Sequence, residues 1–190
     1  LVKFKGQEYR VWDAYRSKLA AAILKGLKTW PLASGVKVLY LGAATGTTAS
    51  HVSDIVGEKG KVFCVEFSER VIRELISNVC NYRSNMIPIM ADARKPENYR
   101  WMVEKVEVVY CDIAQPEQAK VLADNADLFL QPGGHGLIAL KARSIDVTKE
   151  PEEVFQREVE VLKERGFQII EEIVLEPYDK AHAMVVVKRP

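Results

Sequence analysis

Val36-Lys37-Val38-Leu39-Tyr40-Leu41-Gly42-Ala43-Ala44-Thr45-Gly46-Thr47-Thr48 decides the fold of this chain. It begins as an apolar run of strand length, breaks into a loop of small residues, and continues as a helix pattern over Ala49 to Val56. A buried strand passing through such a turn into a helix is the entry to a nucleotide-type site. Small side chains at Gly42, Ala44 and Gly46 let backbone N–H groups approach a ligand, although a tight strand-to-helix turn needs glycine for structural reasons too. The spacing to an acid points to the ligand. Lys61-Val62-Phe63-Cys64-Val65-Glu66-Phe67 is a second strand pattern, and Glu66 lies twenty residues after Gly46. A carboxylate there can hold both ribose hydroxyls of an adenosine group. The order Gly42-x-Ala44-x-Gly46 departs from the strict dinucleotide fingerprint and suits a cofactor without a pyrophosphate. S-adenosylmethionine (SAM), with its zwitterionic methionine tail, is expected ahead of NAD. Thr47 and Thr48 offer hydroxyls and the first free N–H groups of the helix to the carboxylate of that tail.

The chain has 190 residues, enough for one α/β domain with a sizeable core. Lys and Arg number 27 and Asp and Glu 26, for a net charge of +1 with both signs interspersed. A strongly basic nucleic-acid binder acting alone is excluded, so a role on RNA requires partners that supply much of the affinity. Cys64, Cys80 and Cys111 lack metal-type spacing and are expected to be reduced core residues, with no metal site. No apolar run approaches membrane-spanning length and no signal peptide is visible, so no membrane partner is expected.

Residues 1–12 are expected to be the remnant of an N-terminal segment, and 13–190 the main domain. Asp13 reads as the N-cap of a helix whose face carries Tyr15, Leu19, Ala22, Ile23, Gly26 and Leu27. Arg16 and Lys18 flank that face, and by pattern alone they form a solvated basic edge. Ser68 caps the helix after the second strand. Met86–Ala93 is a third strand ending in Asp92, which could accept a hydrogen bond from an adenine amino group while the Ala93 N–H meets a ring nitrogen. Val106–Ile113 is a fourth, with Asp112 at its end. Three acids in succession, Glu66, Asp92 and Asp112, line the edge where α/β sheets bind ligands. A helix from about Pro116 to Leu130 leads through Gly133-Gly134-His135-Gly136 into a fifth strand, Leu137–Lys141. A loop over 142–150 and a helix opening at Pro151 and stopping at Gly166 follow. Phe167–Leu175 and His182–Lys188 close the chain as an antiparallel hairpin. That return brings His182 to the edge holding Asp112 and Lys141. His51 and His135 have no such company and read as structural. The sum is a Rossmann-like α/β fold of the class I SAM-dependent methyltransferase type. Its sheet has seven mostly parallel strands, the last one antiparallel, and a crevice between the first and fourth.

Longer motifs carry a closer likeness. Arg10-Val11-Trp12-Asp13-Ala14-Tyr15-Arg16-Ser17-Lys18-Leu19-Ala20-Ala21 resembles the start of the catalytic domain of the fibrillarin family, as does Tyr40–Asp54. Asp112-Ile113-Ala114-Gln115-Pro116-Glu117-Gln118, Arg143-Ser144-Ile145-Asp146 and His182-Ala183 resemble it too, so the likeness spans essentially the whole chain. Thr45 stands where serine is usual, Ala14 where proline is common, and Ala181 where an acid often precedes the histidine. The resemblance implies an RNA ribose 2′-O-methyltransferase, the catalytic subunit of a box C/D ribonucleoprotein that modifies rRNA and tRNA. It implies a catalytic tetrad of Lys18, Asp112, Lys141 and His182, which overrides the solvated reading of Lys18. The implied SAM site is Gly42, Ala44, Gly46, Thr47, Thr48, Glu66, Phe67, Asp92, Ala93, Asp112, Ile113, Ala114 and Gln115. Implied partners are a Nop-domain scaffold protein, a kink-turn-binding ribosomal-type protein, the box C/D guide RNA and its target. Guide pairing would select the target, so a local basic rim of Arg16, Lys18, Arg143 and Lys149 would suffice. The likeness implies an archaeal-type, cytoplasmic protein, or a nucleolar one if eukaryotic. Two other readings stand beside it: methylation of a protein side chain such as a glutamine, and a non-catalytic subunit.

Overall fold

The periodicities resolve into alternating strands and helices, described by a computed structural model over residues 1–190. An exposed hairpin comes first, β1 (Val2–Phe4) and β2 (Gln7–Tyr9). Next come α1 (Lys18–Leu24), β3 (Lys37–Leu41), α2 (Thr47–Val56), β4 (Lys61–Glu66), α3 (Glu69–Asn78) and β5 (Met86–Met90). The second half holds β6 (Val106–Cys111), α4 (Gln118–Phe129), β7 (Leu130–Lys141), the short α5 (Ala142–Ile145), α6 (Pro151–Glu164), β8 (Gln168–Val174) and β9 (His182–Lys188). The strands after the hairpin form one sheet in the order β5-β4-β3-β6-β7-β9-β8, in which β9 alone runs against the rest.

Side chains alternate between the two faces of a strand, and here both faces are apolar. Tyr40, Tyr110, Ala139 and Met184 pack with α1, α2 and α3, whereas Leu39, Cys111, Leu140 and Val185 pack with α4 and α6. Each fully buried leucine of such a layer contributes about 1.5–3 kcal/mol. The same parity governs the strand ends. Asp112, Lys141 and His182 each stand two residues from Tyr110, Ala139 and Met184 in turn, so all three emerge on the face covered by α1. The chain order reverses between β3 and β6, which opens the expected crevice at their carboxyl ends.

Several boundaries differ from the sequence expectation. α1 begins at Lys18 rather than after Asp13, because Asp13 closes a turn: its carboxylate accepts from the Tyr15 N–H at 2.9 Å and its carbonyl from the Arg16 N–H at 3.1 Å. Ser17 is the true N-cap, its hydroxyl accepting from the Ala20 N–H. Tyr15 is therefore exposed rather than on a helical face. β5 stops at Met90, leaving Asp92 and Ala93 in the turn beyond it. β7 starts at Leu130, seven residues before Leu137, and its pairing with β6 shifts register between Val106 and Val108 to absorb the glycines. At the N-terminal side, Arg10 bonds the Ser50 carbonyl and hydroxyl and pairs with Asp54, and Trp12 stacks on His51 with centroids 4.7 Å apart. Residues 10–12 are thus fastened to α2, while the β1–β2 hairpin is wholly exposed.

Candidate active site

The carboxyl ends of β3, β4, β5 and β6 enclose a cavity of about 340 Å³, within the usual size range of ligand sites. Gly42 and Ala44 form one wall, Glu66 and Phe67 a second, Asp92, Ala93 and Arg94 a third, and Asp112 to Gln115 the last. Gly42 has φ +79°, and a Cβ there would run into the Asp112 carbonyl oxygen. Glycine therefore lets the β3 loop close on the β6 loop. Gly46, at φ +89°, serves a different purpose: a Cβ would lie 2.6 Å from the Leu75 side chain of α3. The glycines of this loop thus owe their place to packing as well as to ligand access.

Glu66 is buried, and its two oxygens accept from the Ala44 N–H at 3.1 Å and the Ser68 N–H at 2.9 Å. Two backbone donors fix the carboxylate at the cavity wall, which suits a ribose diol. Phe67 presents an exposed ring beside it. Asp92 is engaged more than the sequence suggested. Its carboxylate takes Arg94 Nε at 3.0 and 3.1 Å and Nη2 at 2.7 Å, and this guanidinium holds its pKa below the usual value. An adenine amino group would use the remaining lone pairs. Gly46, Thr47 and Thr48 stand outside the lining of this cavity. The Thr48 hydroxyl instead donates to the Ser17 hydroxyl at 2.9 Å, both residues being buried, and so ties the start of α2 to the cap of α1. The carboxylates at the ends of β4 and β5, on an otherwise largely apolar wall, fit a nucleoside group.

Beside this cavity lies the tetrad. Lys18 Nζ is 2.9 Å from Asp112 Oδ1 and 3.1 Å from Oδ2, across 94 residues of sequence. The backbone N–H of Asp112 donates to the Leu41 carbonyl at 2.9 Å, holding the acid at the crevice. Lys141 of β7 stands directly opposite His182 of β9, so the two side chains share a sheet face. His182 Nδ1 lies 2.8 Å from the Lys180 carbonyl and 2.9 Å from Asp179 Oδ1. Burial lowers its pKa and the Lys18 cation acts the same way, against the Lys180 carbonyl, Asp179 and Asp112. The ring is then neutral at pH 7 with its proton on Nδ1, which leaves Nε2 as an acceptor. Ala181, just before it, holds φ +55°, a conformation that asparagine or aspartate tolerates better than alanine. Arg16 and Arg143 are exposed at this end of the sheet, but Lys149 is ion-paired with Glu153 on the first turn of α6 and is not a free rim cation.

Sequence reasoning passed over Arg94, Ser17 and Gln118. Ser17 and Gln118 carried a signal, as members of the motifs quoted above, and Arg94 carried none. The fully buried amide of Gln118 donates to the Ile113 carbonyl and accepts from the Lys141 N–H at 2.9 Å.

A family model described as Fibrillarin matches residues 1–190. The fibrillarin-like rRNA/tRNA 2′-O-methyltransferase of Thermococcus sibiricus is 59% identical over 190 residues, covering 100% of this chain and 83% of that protein. Aeropyrum pernix fibrillarin, solved with natively bound SAM, is 52% identical with a TM-score of 0.89, over 97% of this chain and 80% of that one. A fibrillarin solved in complex with Nop5p is 44% identical with a TM-score of 0.92, over 99% of this chain and 87% of that one.

Proposed function

The chain belongs to the fibrillarin family, and on that premise we propose that it is a SAM-dependent ribose 2′-O-methyltransferase of rRNA and tRNA. The observation that carries this reading is the double membership of Asp112: the residue lines the nucleoside cavity, and its carboxylate pairs with Lys18 of the tetrad. Cofactor and acceptor therefore meet at one residue. SAM supplies, when bound, an electrophilic methyl group on a sulfonium centre. Glu66 would hold its ribose hydroxyls, Asp92 and Ala93 its adenine, Phe67 its ring face, and the segment Asp112–Gln115 the side nearest the acceptor. Lys18 pairs with Asp112 and holds its carboxylate in place. Lys141, which makes no ion pair of its own, removes the proton from the ribose hydroxyl. Nε2 of His182, opposite Lys141, accepts a hydrogen bond that orients the ribose. Most of the acceleration comes from holding hydroxyl and methyl group in line, which such a rigid strand-end frame provides.

The partners follow the same reading. A Nop-domain scaffold holds the enzyme, in keeping with the Nop5p complex of a relative. A kink-turn-binding protein and a box C/D guide RNA complete the particle, in keeping with a net charge of only +1. Arg16 and Arg143 supply the local basic rim. We further propose a cytoplasmic setting, on the likeness to a Thermococcus protein; no helix is long and apolar enough to cross a membrane.

The test is transfer of labelled methyl from SAM to target RNA in a reconstituted guide complex, comparing the natural sequence with Asp112→Ala. The expected result is guide-dependent label on one 2′-oxygen, reduced at least 100-fold in the variant, since both the Lys18 pairing and a cavity wall are lost. Label on protein instead would point to a side-chain substrate. SAM binding without any transfer would make the chain a structural subunit.

A further inference from the structure

The paired strands β6 and β7 separate before they reach the tetrad. Their parallel ladder ends at Cys111 opposite Ile138, three residues short of Lys141. Past that point β7 is held by β9 alone on its other side, and β6 itself ends at Cys111. The spacing between Asp112 and Lys141 is thus not fixed by the ladder. Gln118, the first residue of α4, fills the opening. Its amide nitrogen donates to the Ile113 carbonyl, next to Asp112, and its amide oxygen accepts from the Lys141 N–H at 2.9 Å. The side chain is fully buried and has no contact with solvent through which to exchange these bonds. α4 is itself held in place: Glu158 of α6 accepts from the Ala119 N–H at 2.7 Å, so Gln118 projects from an anchored helix start.

We propose that Gln118 is a positioning residue that sets Lys141 against Asp112 and so governs the rate of methyl transfer without touching cofactor or RNA. This rests on the reading of Lys141 as the group acting on the ribose hydroxyl. A buried amide that uses both its donor and its acceptor on two strand ends fixes their separation. A displacement of about 1 Å at a reacting group can cost on the order of 100-fold in rate. Only a side chain with one donor and one acceptor at this length satisfies both partners. A neutral carboxylic acid is the one natural replacement.

The experiment measures kcat, KM for SAM and SAM dissociation in the assembled guide complex for Gln118→Met, Gln118→Glu and, in parallel, Lys141→Ala. Methionine matches the length and has no polar ends. We expect its kcat to fall 10- to 100-fold, with SAM affinity and KM within about threefold of the natural chain. In Gln118→Glu, the buried introduced carboxyl is protonated as pH falls. Its rate relative to the natural chain therefore recovers toward acid, whereas the methionine variant's ratio stays flat. Two results would overturn the proposal: a kcat within threefold for Gln118→Met, or a loss of rate matched by loss of SAM affinity, which would mean that the bond to Ile113 only shapes the cofactor cavity. Should Gln118→Met not fold, the glutamate variant decides, and an absence of acid recovery refutes the clamp. Lys141→Ala separates this failure from that of the underlying reading: undiminished turnover in that variant would remove Lys141, and the clamp with it, from the chemistry.

Discussion

Lys18 and Lys141 carry the same side-chain amine and differ in company. Lys18 lies within 3.1 Å of both oxygens of Asp112, whereas Lys141 is free of any carboxylate and faces His182. An amine tied to a carboxylate positions it; an amine without one is available to a hydroxyl. Lys141→Arg tests the assignment, because guanidinium keeps the charge but stays protonated at any accessible pH. A base role predicts a loss of about 100-fold or more in kcat, uniform across the pH range, while the natural chain's rate rises with pH. Retention of rate within about fivefold would make Lys141 a charged stabiliser of the developing alkoxide instead. The two lysines were not equally legible. Lys141 ends an aliphatic strand beside another strand ending in an acid, a placement visible in the sequence. Lys18 looks like any basic residue flanking an amphipathic helix, and nothing local shows that α1 crosses onto the sheet face where Asp112 emerges. Only the family motif singled it out.

Among the elements, α4 bears the most on the site, because its first residue spans the opening between β6 and β7 and its start is capped from another helix. The Glu158 carboxylate that receives the Ala119 N–H is buried, and burial pushes its pKa up against the pull of that N–H. Glu158→Ala removes the cap and is expected to cost about 1–2 kcal/mol in urea unfolding. Glu158→Gln keeps an acceptor without the charge. The folded-state pKa of Glu158 is raised, so its contribution is fully present below the unfolded value near 4.5 and is lost as pH rises through the folded value. The glutamine variant should therefore gain on the natural chain as pH rises from about 4 to 7, and a constant difference would contradict the burial argument. This cap also shows the limit of pattern reading at this scale. The central strands are plain because both faces are apolar, and the crevice between the first and fourth of them follows from the doubly wound pattern. Contacts made between helices over tens of residues, such as Glu158 to Ala119 or Thr48 to Ser17, leave no periodic trace. Helix starts were misplaced for a related reason: Asp13 and Ser17 both fit a cap, and only the turn closed by Asp13 decides between them.

For the molecule as a whole, near-equal numbers of acids and bases leave stability against pH to be set by individual groups rather than by net charge. His51, His135 and His182 all have pKa values lowered by burial, with Arg10 near the first, Lys188 near the second and Lys18 near the third acting in the same sense. The unfolded chain takes up protons at these sites near pH 6.5 while the folded chain does not. Their stabilising contribution is thus complete above that value and declines as pH falls below it. Asp92 and Glu104 behave likewise at lower pH: Arg94 depresses the first, and Lys37 and Lys61 the second, so their contribution is lost only below about pH 4. The urea midpoint should then fall in two steps, one between about pH 7 and 5 and one below about pH 4. Glu158 works in the opposite sense, so the first step is cleaner in the Glu158→Gln protein. His51→Phe isolates one component, since phenylalanine keeps the stack on Trp12 and cannot titrate. The first step should shrink in that variant while the second is unchanged. A midpoint that stays level from about pH 8 to 5 in the Glu158→Gln protein would show that burial does not lower the pKa values of these rings in the folded state.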